Sequence, residues 1–164
     1  MKKFELTSEF VTFLGKKLFR IKALVSFGDV KEGELGGLVE KEENLDQSGN
    51  AWVYGDAWVY GNAQVYGDAR VSGNAQVYGN ARVSGNAQVQ CCRDYSAASC
   101  FGSKNRTTTF FRAKDGGISV RCGCFYGTLD EFREKVKERH GNSRMAKEYL
   151  MLADLMEFRL SKDE

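Results

Sequence analysis

The stretch Gly49–Gln90, GNAWVYGDAWVYGNAQVYGDARVSGNAQVYGNARVSGNAQVQ, decides the fold. It is seven copies of one six-residue phrase in which Gly, Asn or Asp, Ala and Val stay fixed while two positions vary. A period of six is too short for a helical repeat and predicts a β-solenoid. Ala and Val stand two apart, so they share one side of a strand. The predicted core is therefore Ala51/Val53, Ala57/Val59, Ala63/Val65, Ala69/Val71, Ala75/Val77, Ala81/Val83 and Ala87/Val89. Gly followed by Asn or Asp supplies the corners, where a positive φ and local side-chain hydrogen bonds are useful.

Three hexads to a coil would stack residues 18 apart. That spacing sets Asn50, Asp68 and Asn86 in one ladder, Asp56 on Asn74, Asn62 on Asn80, Arg70 on Trp52 and Arg82 on Gln64. The two aspartates never stack on each other, and neither do the two arginines. Seven hexads give only two and a third coils, too few to stabilise themselves against the backbone entropy of ordering them. Caps from both flanks are expected, together with side-by-side packing in a homo-oligomer.

The outward positions are Trp52/Tyr54, Trp58/Tyr60, Gln64/Tyr66, Arg70/Ser72, Gln76/Tyr78, Arg82/Ser84 and Gln88/Gln90. Aromatic side chains crowd the first three copies. So much contiguous aromatic surface needs a cover, whether a subunit, the lead-in segment, a partner or a ligand. Trp52, Trp58, Tyr60 and Tyr78, with Arg70 and Arg82 as cations, are the candidate binding residues, suited to stacking on a base or nucleotide.

Composition narrows the classes. The net charge of +2 on 164 residues argues against a nucleic-acid polymer as partner. No apolar run reaches the roughly 20 residues of a membrane span. The start, MKKFELTSEF, has no apolar segment behind its lysines, so a cytoplasmic protein is expected. Gly-rich phosphate loops, GxSxG and paired carboxylates are missing, and no metal or cofactor is called for. The five cysteines, Cys91, Cys92, Cys100, Cys122 and Cys124, have poor chelating spacings. Cys122 and Cys124 should face one side of a strand, and buried free thiols are the favoured reading, ahead of a metal site or a disulfide.

Outside the repeat, residues 1–48 form a lead-in with a strand-like LFRIKALVSF (18–27), and residues 91–164 a C-terminal domain. TTTFFRA (107–113) and GISVRCGC (117–124) read as a hairpin turned by Lys114-Asp115-Gly116. Thr128, with Glu131 three residues on, opens a helix that His140-Gly141 ends. A second helix from about Ser143 to Leu160 carries Met145, Tyr149, Leu152, Met156 and Leu160 on one side. The tail is read as a ββαα unit.

Read from its valines, VYGDAW and VYGNAQ, the repeat resembles the hexapeptide repeat of left-handed parallel β-helices; a right-handed solenoid is the minor option. The resemblance implies a mainly β, left-handed helix and a homotrimer. Enzymes of that family are often acyltransferases with a loop histidine. The single histidine, His140, lies at a helix end instead, where a cap role is the simpler reading. The lead-in LFRIKALVSFGDVKEGELGGLVEKEENLDQSGNAWVYGDA resembles the segment before such repeats in phage, prophage and some bacterial proteins of unknown role. The tail ISVRCGCFYGTLDEF, with ERHGNSRMAKEYL, is similar to a small domain of phage-encoded proteins. These resemblances imply a phage-encoded accessory protein. The expected function is non-enzymatic binding of a host macromolecule or signalling nucleotide that inhibits host defence. A virion or scaffold protein and an acyltransferase are the alternatives.

Overall fold

The computed structural model describes residues 1–102 and 104–161. Seven two-residue strands fall on the Val of each hexad: β4 (Trp52–Val53), β5 (Trp58–Val59), β6 (Gln64–Val65), β7 (Arg70–Val71), β8 (Gln76–Val77), β9 (Arg82–Val83) and β10 (Gln88–Val89). They stack in parallel at the expected interval, with Trp52 on Arg70, Arg70 on Gln88, Trp58 on Gln76 and Gln64 on Arg82. Every predicted Ala and Val is buried in one core. The corner ladder forms too: the Asn50 amide donates to Asp68 at 3.1 Å and that of Asn62 to Asn80 at 3.4 Å. Each Gly of the repeat has a positive φ.

The solenoid starts before the repeat. Three lead-in strands, β1 (Phe4–Phe13), β2 (Lys16–Ala23) and β3 (Leu35–Val39), form an antiparallel meander, and β3 then pairs in parallel with β5. Leu45 bridges Val65 in parallel. Val39, Leu45 and Val53 thus build a first coil from sequence without the hexad letters, and three coils result. The expected strand at 18–27 is shorter, and its two neighbours were not foreseen.

Ending a solenoid leaves a row of backbone groups without partners. In the lower coils Gly67 O and Ala69 O accept from Asn50 N and Trp52 N, and Gly79 O and Ala81 O accept from Asn62 N and Gln64 N. The equivalent carbonyls of the first three hexads meet side chains instead. Lys3 Nζ donates to Gly49 O at 3.4 Å and Ala51 O at 2.8 Å. Arg20 Nη1 donates to Gly55 O at 2.8 Å, while the Asn44 amide serves Gly61 O and Ala63 O at 3.2 and 2.9 Å. Burial lowers the Lys3 ammonium pKa to about 8. The far end exposes N–H groups and receives acceptors: Thr109 Oγ1 takes Arg82 N at 3.0 Å, and the Asp94 carboxylate takes Gln90 N at 2.8 Å.

Asp94 directly precedes, and Thr109 lies within, the C-terminal sheet, β11 (Tyr95–Phe101), β12 (Arg106–Arg112), β13 (Ile118–Cys122) and β14 (Phe125–Thr128), antiparallel in that order. Helices α1 (Leu129–His140) and α2 (Arg144–Leu160) follow, N-capped by Thr128 and Ser143. The unit is therefore ββββαα, not ββαα. The two extra strands were hidden by the patternless residues 91–106 and by a two-residue turn, Gly123-Cys124, that ends β13 early. Successive residues of β12 serve two cores: Phe110 packs with the helices, whereas Phe111 joins Tyr95 against the last coil.

Candidate functional site

The fold scatters the six residues chosen from the sequence. Trp58, Tyr60 and Tyr78 share the β5–β8 face, Trp52 and Arg70 the β4–β7 face, and Arg82 the β6–β9 face. Trp52 is fully buried, with Phe4 at 6.2 Å and Phe27 at 5.3 Å, so it is a core residue and not a binding one. The lead-in meander accounts for this, because its β1–β2 hairpin lies over the first aromatic hexads. Phe13 stands 5.0 Å from Trp58 and 5.7 Å from Tyr60. Tyr60 stacks on Tyr78 at 5.3 Å, and Tyr78 remains 52% exposed.

Arg70 is engaged as well. Its Nη1 donates to Asp29 Oδ2 at 2.8 Å, and the Tyr54 hydroxyl donates to the other Asp29 oxygen at 2.9 Å. Burial and the Asp29 bond raise the Tyr54 pKa to about 12. The Tyr54 bond, ahead of Arg70, holds the Asp29 carboxyl below its usual range. This triad pins the lead-in to the solenoid.

The residues that do converge lie in the C-terminal domain. Positions 132, 135, 136, 139 and 140 recur on one side of α1, the first and third apolar and the others basic or imidazole. They face β11–β14 across a cleft of about 130 Å³. Its floor is aromatic: Phe132 meets Phe125 and Tyr149 at 5.8 and 5.7 Å, and Phe101 completes it. Lys104, Arg106, Lys135 and Arg139 form the rim, and among the described residues no carboxylate lines it. Among the described residues, Lys104, Arg106 and Arg139 make no ion pair, and Lys135 has only the exposed Glu138 at 3.7 Å.

His140 lies in this cleft, its ring 6.0 Å from that of Tyr149 and tilted 27°. Cys122 lines the same wall and accepts from the Thr108 hydroxyl at 3.2 Å. Burial, then Cys122, raises the Tyr149 pKa to about 12. A Cβ on Gly102, at φ +79°, would strike the Tyr149 hydroxyl, so glycine there lets the ring seat. The thiols are free but not buried as a group: Cys92, Cys100 and Cys124 are exposed, since the Gly123 turn carries Cys124 out of the strand. No three potential metal ligands come together among the described residues.

Sequence reading missed Lys104, Arg106, Lys135 and Arg139. The α1 spacing was a usable signal, but Lys104 and Arg106 sit in a stretch with no recognisable pattern. Comparison with known families agrees with the architecture. The model of the YdcK beta solenoid repeat matches residues 63–76 and 75–90, and the chain is a β-solenoid repeat protein. No curated protein is significantly similar to it. No described helix is long and apolar enough to cross a membrane.

Proposed function

We propose that this chain is a binding protein which holds a nucleotide in the C-terminal cleft without turning it over. One observation carries the reading: among the described residues, four cations and no carboxylate surround a floor of aromatic rings. Rings accept a base by stacking, and lysine and arginine accept its phosphate. A dry cavity of about 150 Å³ holds a benzene ring, so about 130 Å³ suits a single ring, with the phosphate at the mouth.

The hexapeptide likeness supports a left-handed coil and assembly as a homotrimer. Met151, Leu155 and Phe158, exposed along the outer side of α2, are apolar surface that such an assembly would cover. The likeness of the flanks to phage-encoded proteins supports a role in which a host signalling nucleotide is sequestered and host defence inhibited.

Isothermal titration with nucleoside monophosphates tests the cleft. Binding is expected, with at least a tenfold loss in Arg106→Glu/Arg139→Glu and unchanged melting. No heat with any monophosphate, or heat that survives the double variant, would refute it. Recovery of chemically intact nucleotide after long incubation tests the absence of turnover.

A further inference from the structure

A second cavity, about 770 Å³, lies beside the cleft, between the β6–β9 face and the turn after β13. The cleft is on the helix side of the C-terminal sheet and this cavity on its solenoid side, and Arg106, at the start of β12, lines both. Arg82 and Arg121 stand in this groove with Asn62, Gln64 and Asn80, and among the described residues no carboxylate lines it. Among the described residues, neither arginine makes an ion pair. The Arg121 guanidinium lies 5.6 Å from the Tyr66 ring, and its Nε is buried without a partner. Three guanidinium groups beside neutral amides describe a surface complementary to phosphate oxygens.

The groove is short. On its far side the adjoining cavity shares Gln64, Arg82 and Arg121 but is bounded by Glu42, Glu43 and Asp46. A long strand would run from the arginines onto these carboxylates.

Building on the proposed nucleotide cleft, we infer that its ligand is a dinucleotide: one base sits in the cleft, and a second phosphate lies in the Arg82–Arg121–Arg106 groove. The net charge of +2 conceals this site because it sums 24 Lys and Arg against 22 Asp and Glu wherever they lie in the fold. The shared chemistry is a pair of phosphates joined through ribose, whether in a linear or a cyclic dinucleotide.

Titration with four probes tests the assignment: UMP, the linear dinucleotide pUpU, cyclic di-UMP and a 20-residue oligouridylate. At least one dinucleotide should bind tenfold or more tightly than UMP, and the one that does names the source. Arg82→Gln/Arg121→Gln should abolish that gain and leave UMP affinity unchanged, since neither residue lines the cleft. The single Arg82→Gln, at an exposed position, should lose part of it should the double variant fold poorly. Equal affinity for UMP and both dinucleotides overturns the inference but leaves the cleft reading standing, as does a gain that survives both variants. Affinity that keeps rising to the 20-mer also overturns it, in favour of a nucleic-acid strand. Absence of binding by every probe removes the cleft reading itself.

Discussion

Lys3 offers a quantitative test of how the solenoid is ended. Its ammonium takes the place of a missing coil, donating to Ala51 O at 2.8 Å and more distantly to Ser48 O and Gly49 O, 4.7 Å from the Phe27 ring. Burial lowers its pKa from 10.5 to about 8. Between these values the unfolded chain holds a proton that the folded chain has released, so stability rises with pH. The contribution is lowest below about pH 8, where both states are charged, and is complete above 10.5. At about 1.36 kcal/mol per unit the full interval is about 3 kcal/mol, and solvent screening at the cap reduces the expectation to roughly 1.5–3 kcal/mol.

Lys3→Met keeps the stem and removes the titrating group. Urea unfolding of both proteins at pH 7, 8, 9 and 10 isolates the effect, because the cysteines, tyrosines and other lysines cancel in the difference. The substitution carries a pH-independent cost of about 1–3 kcal/mol from carbonyls left without a donor. Above that constant, the stability of the parent relative to Lys3→Met should climb from pH 8 to 10. A difference that stays flat, or falls, would show that the cap does not work by burying a charge.

Three further outcomes are expected. Trp52→Ala should cost about 3–5 kcal/mol by opening a cavity beneath Phe4 and Phe27, whereas Tyr78→Ala should cost about 1 kcal/mol or less; thermal unfolding of the two compares them. Asp94→Ala strips the acceptor from Gln90 N and Cys91 N and should lose about 1–3 kcal/mol in denaturant. Gly102→Ala forces Tyr149 to move and should weaken nucleoside monophosphate binding severalfold in calorimetry while the solenoid's hydrogen-exchange protection holds.

The repeat was legible because its period is local. Side chains two apart share a face and residues 18 apart stack, so core, corners and the Trp52–Arg70 and Gln64–Arg82 pairings follow from counting. The helices were legible for the same reason, through Thr128, Ser143 and their apolar spacing. The first coil was not, because Val39 and Leu45 enter the stack without the hexad letters around them. Nor was the fate of Trp52: outward from a strand meant exposed only until the lead-in meander folded over it.

The sequence by itself therefore determined a β-solenoid, its core, its corners and the two terminal helices, since each rests on spacing within a few turns of chain. The tertiary structure alone decided where the charges gather. Lys104 and Arg106 come from β12 and the turn before it, Lys135 and Arg139 from α1, and Arg82 from the solenoid. Electrostatic sites depend on distance in space, and nothing in a balanced sequence says which cations will meet without carboxylates between them.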